Sequence, residues 1–221
     1  MNILSLSQVK KRLFAWGMAK ANGANQQNIK VNDCPLCSNF ADLKQTLLGN
    51  LQGKVLEIGP GAGGSLAFYP KSIEWVGIEP NPFMHDYLQQ EAEQQGLKSA
   101  ELYQGTAEDL PVESNSMDAV VSFHVLCSVS DLSQSLQEIQ RVLKPGGMFV
   151  FLEHVAAETG TWTRFFQNGI QPLWTTLFDN CHPNRETQQA IENVNFTAIE
   201  SYGCQLPFPI VSPHVVGIAR K

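Results

Sequence analysis

The stretch VLEIGPGAGGSLAFYPKSIEWVGIEP, residues 55–80, constrains the fold most: an apolar run enters a glycine-rich loop, and a second apolar run ends in an acid. Short buried runs separated by such a loop are the opening of a crossover between parallel β-strands. Gly59, Gly61 and Gly64 spell G-x-G-x-x-G, with Glu79 about 20 residues on, which is the spacing of a dinucleotide fingerprint. Gly59, Gly61 and Gly63 equally spell G-x-G-x-G, with Glu57 just upstream and Pro60 inside the loop. The glycines alone admit both spellings.

From Lys54 onward, short apolar runs alternate with longer amphipathic ones. Strands are expected at 54–58, 74–78, 99–104, 118–124 and 148–153. Helices are expected at 81–95, with Pro82 near the start, and at 131–143, capped by Asp131. This alternation predicts a parallel sheet with helices on both faces and a ligand at the carboxyl ends of the strands. An aromatic-rich segment (159–180) and a helix over 185–194 follow. The final runs, FTAIESYGCQL and HVVGIAR, have only a short Pro-containing link and so pair antiparallel. The total is seven strands, mostly parallel, with an antiparallel edge hairpin. Ahead of Lys54, residues 5–21 read as a helix with Val9, Leu13 and Trp16 on one stripe and Gly23 past its end. A polar loop leads to a second helix, capped by Ser38, carrying Phe40, Leu43, Leu47 and Leu48 and ending near Gly53. Residues 1–53 thus form an N-terminal helical cap, and 54–221 the cofactor-binding domain.

With 221 residues and 43% hydrophobic content the chain can bury a sizeable core, and its net charge of −6 argues against a nucleic-acid partner. The start, MNILSLSQVKKRLF, lacks the long apolar run of a secretory signal, and no window reaches about 18 uninterrupted apolar residues. A cytoplasmic protein without an integral membrane segment is expected. Five cysteines, an odd number, do not suggest a disulfide framework. Cys34 and Cys37 in CPLC have the spacing of half a zinc site, but Cys127, Cys181, His182 and Cys204 offer no second C-x-x-C. No metal is expected, and the pair reads as structural.

The acid before the loop separates the cofactors. In a nicotinamide site the last strand residues are apolar and a pyrophosphate meets the helix N-terminus. A buried Glu57 would repel a pyrophosphate, whereas it could meet the ammonium of a methionine moiety, which favours S-adenosyl-L-methionine. Glu79, followed by Pro80, would accept hydrogen bonds from both ribose hydroxyls in either cofactor class. Farther on, YQGTAEDLPVESNSMDAVVSFHVL and RVLKPGGMFVFLE resemble the class I S-adenosylmethionine-dependent methyltransferases. That resemblance implies their Rossmann-like fold, with Ala107 and Glu108 bracketing the adenine. It also places Ser122 to Leu126, including Phe123 and His124, near the methionine end. Thr106 stands where the family commonly has the acid that binds the adenine amino group, so either its hydroxyl or Glu108 takes that role.

The stretches EPNPFM (79–84), VLCSV (125–129), EHVAAE (153–158), PLW (172–174), FDNC (178–181), NRE (184–186) and SPHVVGIARK (212–221) resemble the thiol S-methyltransferase family known as methyltransferase-like protein 7. This chain has GPGAGG where those relatives usually carry a cysteine in the loop, and it lacks a segment long enough for their N-terminal membrane anchor. The resemblance implies a methyltransferase acting on a small, fairly apolar molecule, with a thiol as acceptor. Alternatives are a hydroxyl or carbon acceptor of quinone-like or lipid-like kind, a non-catalytic cofactor binder, or an NAD-dependent oxidoreductase.

Transfer from a sulfonium needs alignment of the nucleophile and exclusion of water, and a thiol needs only a nearby histidine or positive field to raise its thiolate fraction. His124 and His154 both fall at the carboxyl edge of the sheet. His154 is the first choice for a base or orienting group, with Glu153 beside it to orient its ring, and Asp179 is the second. Trp162, Phe165, Phe166, Leu173, Trp174, Leu177 and Phe178 share helical spacing, read as core or as the wall of an apolar pocket. Cys127 and Cys181 read as packing residues.

Overall fold

A computed structural model of the chain describes residues 5–22, 29–97 and 99–221. Two helices, α1 (Leu6–Asn22) and α2 (Phe40–Leu48), precede β1 (Lys54–Ile58) and β2 (Glu74–Ile78). Then come α3 (Pro82–Gln95), β3 (Ser99–Tyr103), β4 (Met117–Phe123), α4 (Leu132–Val142) and β5 (Leu143–His154). The chain closes with α5 (Trp162–Leu177), α6 (Thr187–Glu192), β6 (Ala198–Gln205) and β7 (Pro213–Arg220).

The strands form one sheet in the order β3-β2-β1-β4-β5-β7-β6. The first five are parallel, and β7 runs antiparallel to both β5 and β6, because a short link cannot make a parallel crossover. The strand order reverses between β1 and β4, so the crevice that such sheets use for ligands opens there.

Successive residues of each strand feed opposite cores. Val55, Trp75, Val121 and Val150 pack with Phe40, Leu43, Leu47 and Leu48 of α2 and Leu88 of α3. Leu56, Val76, Val120 and Phe149 pack with Leu136, Ile139 and Val142 of α4. Both faces are therefore covered, which is what a run of consecutive apolar residues in a parallel strand requires.

Several local expectations are corrected. The cap of α2 is Asn39, not Ser38: its extended backbone lets the side chain accept from Asp42 N at 2.8 Å, and the helix ends at Gly49 rather than near Gly53. Gly23 lies outside the described residues. The α1 stripe is not its buried face: Leu13 is 62% and Trp16 52% exposed, while Ala15 packs against Ala62 and Met84. A small residue there lets α1 sit close to α3. Likewise the apolar residues of α5 are not core, with Trp162 77% and Phe165 66% exposed. β5 begins at Leu143, five residues early, because Met117 pairs with Leu143 ahead of a register shift.

Cys34 and Cys37 pack on the core beside Cys204. Burial pushes the Cys37 thiol up to about 11 and the Cys204 thiol up to about 12, so both stay protonated.

Candidate active site

A cavity of about 680 Å³ opens over the carboxyl ends of β1, β2 and β4. Glu57, Gly59, Pro60, Gly61, Glu79, Pro80, Thr106, Ala107, Glu108, Phe123, His124 and Asp179 all line it. Gly63 lies just behind the wall, beside Leu66 and Glu91, and its N–H donates to Pro60 O at 3.0 Å. His154 does not reach the cavity.

Glu57 ends β1 buried, not turned outward, and accepts from Trp75 Nε1 at 3.1 Å. Burial pushes its carboxyl up, against the Trp75 bond and the charge of nearby Lys44. Lys44, from α2, is itself buried and donates to Gly64 O at 2.9 Å. Burial brings it down to about 8, against the attraction of Glu57. Gly59 then turns the chain at φ +58; a Cβ there would stand 2.7 Å from Val125 Cγ2, so the backbone approaches β4 only because the side chain is absent.

Glu79 directly follows β2 and is buried, its two oxygens accepting from Gly61 N at 3.0 Å and Asn81 N at 2.8 Å. Burial raises its pKa, these bonds oppose it, and Asp179 across the cavity raises it further. The acid thus braces the glycine loop while each oxygen retains a lone pair for a ligand. Glu108 accepts from Ser130 N at 2.7 Å and Asp131 N at 3.3 Å at the start of α4. Burial raises its pKa, but these bonds and one from Thr106 hold it below the usual carboxylate range.

At the end of β4, His124 has φ +59, a conformation that costs about 1–3 kcal/mol in a residue with a side chain. Its N–H is pinned to Leu152 O at 2.8 Å. Asp179 and Asn180, on the opposite wall, also have positive φ. His124 Nε2 is a buried polar atom without a protein partner, and the ring lies 5.1 Å from that of His214. Burial, then His214, His154 and Lys44, hold its pKa well below the usual histidine range, so the ring is neutral.

The expected partnership of Glu153 with His154 is not formed, because neighbours on a strand point to opposite faces. Glu153 is buried and accepts from Ser122 Oγ at 2.6 Å, Val125 N at 3.2 Å and Leu126 N at 3.1 Å, so it brackets the turn that carries His124. His154 instead places Nε2 3.1 Å from Cys181 Sγ.

Residues 56–151 match the family described as Methyltransferase domain. Thiol S-methyltransferase TMT1A of Homo sapiens is 38% identical over 194 residues, 82% of this chain and 80% of that protein. Thiol S-methyltransferase TMT1B of Rattus norvegicus is 34% identical over 96% of this chain and 87% of its own length. The chain belongs to the thiol S-methyltransferase family. Among solved structures, the YcgJ protein of Bacillus subtilis has a TM-score of 0.60 at 23% identity, covering 72% of this chain and 69% of its own. The [4+2]-cyclase SpnF reaches 0.72 at 16%, covering 97% and 94%. These last two carry the fold alone.

The thiol S-methyltransferase family takes S-adenosyl-L-methionine, and the donor set fits it. The buried Glu57 faces the cavity beside the glycine loop, a setting suited to a cationic cofactor and hostile to a pyrophosphate, so the G-x-G-x-x-G match through Gly64 is incidental. Lys44, Trp75 and Asn81 escaped sequence reasoning. Lys44 reads as the polar side of an amphipathic helix, and only the docking of α2 under the glycine loop turns it inward. The one available signal was EPNP, whose asparagine before proline marks the Asn81 cap of α3.

Proposed function

We propose that the enzyme methylates the sulfur of a small, largely apolar thiol. The observation that carries this is the kinship to thiol S-methyltransferases over about four fifths of the chain. When bound, S-adenosylmethionine supplies an electrophilic methyl group on a sulfonium. Glu79 would hold the ribose hydroxyls, Thr106, Ala107 and Glu108 the adenine, Glu57 the ammonium, and the Lys44 ammonium the methionine carboxylate. Helix α1 brings Lys11, Phe14 and Met18 to the cavity wall, where they exclude water.

The acceptor side is apolar, with Phe40, Phe178 and Phe208 on the wall around His124. A neutral His124 with a free Nε2 accepts the S–H of an incoming thiol and sets its direction. Its low proton affinity leaves the proton to solvent, which suffices because a thiol with pKa near 8.5 already ionises in part at neutral pH. His154 is engaged by Cys181, and Asp179 sits toward Glu79, so His124 is the better orienting group. Five unpaired cysteines fit a reducing, cytoplasmic setting, and the net charge of −6 fits a small molecule rather than nucleic acid as partner.

Matched thiol and phenol pairs test the reading. Thioether should form from the thiols, and His124→Ala should lower kcat/KM roughly tenfold, the order expected for one lost positioning contact. Transfer to phenols with none to any thiol overturns the reading.

A further inference from the structure

Behind the acceptor wall, outside the cavity, Cys127, His154 and Cys181 bring their Sγ, ring nitrogen and Sγ within 4.8 Å of one another. Cys181 Sγ lies 3.1 Å from His154 Nε2 and 3.3 Å from Trp174 Nε1, which has only an N–H to offer. An indole N–H and an imidazole nitrogen converge on this one sulfur, and with the proton on the imidazole that is the environment of a thiolate. Arg185, anchored by Leu126 O at 2.8 Å and Val129 O at 2.6 Å, adds positive charge within reach of both sulfurs.

The same atoms could be set for a soft metal, but the histidine argues otherwise. A ligating imidazole normally fixes its tautomer by donating the other ring N–H to an acceptor. His154 Nδ1 is buried without a partner. Both sulfurs are buried, but Cys181 as a residue is only half-buried whereas Cys127 is buried throughout, so a small oxidant meets Cys181 first.

We propose that Cys181 and Cys127 form a peroxide-sensitive dithiol, in which Cys181 is oxidised first and Cys127 closes a disulfide. The Cys181 thiolate attacks the outer oxygen of a hydroperoxide: an S–O bond forms, the O–O bond breaks, and the departing alkoxide takes the proton of His154. Cys127 sulfur then attacks the sulfenic sulfur; the S–S bond forms, the S–O bond breaks, and the Cys127 proton leaves with the hydroxyl as water. The two sulfurs together lose two electrons and the hydroperoxide gains them, and a dithiol reductant reverses the change. Electrostatics agrees. Cys181 is pulled down to about 4, first by the neighbouring Cys127 thiol and, against burial, by His154 and Trp174, while Cys127 is pushed well above the usual thiol range.

The crosslink would tie two walls of the cavity. Cys127 is in the turn that supplies His124, Val125 and Ser128, and Cys181 ends the loop that supplies Phe178, Asp179 and Asn180. Oxidation therefore reaches the acceptor side without touching a cofactor-holding residue.

The test treats the reduced full chain with hydrogen peroxide at neutral pH and maps thiols by mass spectrometry of a non-reduced digest. A peptide pair joining Cys127 to Cys181 should appear at a dose that leaves Cys34, Cys37 and Cys204 reduced, and dithiothreitol should remove it. Cys127→Ser should stop at a sulfenic acid on residue 181 that dimedone traps, and His154→Gln should slow that trapping by roughly tenfold. Oxidation of Cys181 no faster than of Cys34 overturns the proposal. So does one equivalent of zinc that copurifies with the chain and protects both sulfurs. The readout is chemical and stands whether or not the acceptor is a thiol.

Discussion

Replacing Glu79 by alanine removes the acid proposed to hold the cofactor ribose. Its oxygens brace Gly61 N at 3.0 Å and Asn81 N at 2.8 Å, and their remaining lone pairs are assigned to two ribose hydroxyls. Hydrogen bonds to a charged partner contribute about 1.5–3 kcal/mol each, so losing two ribose bonds should cost about 3–6 kcal/mol of affinity. At about 1.4 kcal/mol per factor of ten, S-adenosylhomocysteine should bind roughly 10²- to 10⁴-fold more weakly by calorimetric titration. Two amides also lose their acceptor, so thermal unfolding should be followed in parallel. Glu79→Gln, which keeps the volume and one acceptor oxygen, should fall between wild type and Glu79→Ala. A folded Glu79→Ala protein that binds within about threefold of wild type, less than the loss of one such bond, would refute the ribose assignment.

Other sites give sharper single readings. Gly59→Ala should destabilise the fold by about 1–3 kcal/mol in denaturant unfolding, because its φ of +58 is strained for alanine and its Cβ would meet Val125; an unchanged midpoint would contradict the close approach. Lys44, at about 8 in the fold against about 10.4 unfolded, binds fewer protons folded than unfolded between those values. Its contribution to stability therefore rises with pH across that window. A methionine carboxylate beside it would raise its pKa, so S-adenosylhomocysteine binding near pH 9 should take up a proton, read as an enthalpy that varies with the ionisation heat of the buffer. A buffer-independent enthalpy would contradict the Lys44 assignment. Trp75→Phe leaves the buried Glu57 carboxylate without its 3.1 Å donor and should lower stability by about 1–3 kcal/mol, with a wild-type unfolding curve counting against that role.

The sheet was legible because each parallel strand is buried on both faces, so that Val55-Leu56-Glu57-Ile58 and Trp75-Val76-Gly77-Ile78 stand out as apolar runs. Glu57 and Glu79 stand out at those runs as acids, and both are buried. Spacing identifies an apolar stripe but not what covers it, and so the exposed faces of α1 and α5 escaped. Adjacency in sequence put Glu153 beside His154 as its orienting partner, whereas strand alternation turns the two apart and leaves His154 against Cys181. Lys44 and the Cys127–Cys181 pair depend on loops that meet only in three dimensions: α2 under the glycine loop, and residues 178–182 against the turn after β4.

Thiol methyl transfer itself is tested most directly by supplying the enzyme with methyl-labelled S-adenosylmethionine and a small apolar thiol, then following label and S-adenosylhomocysteine together. The account predicts a labelled thioether, with one S-adenosylhomocysteine formed for each methyl transferred. Label that stays on the cofactor across a panel of thiols, or that appears only on oxygen or carbon acceptors, would contradict it.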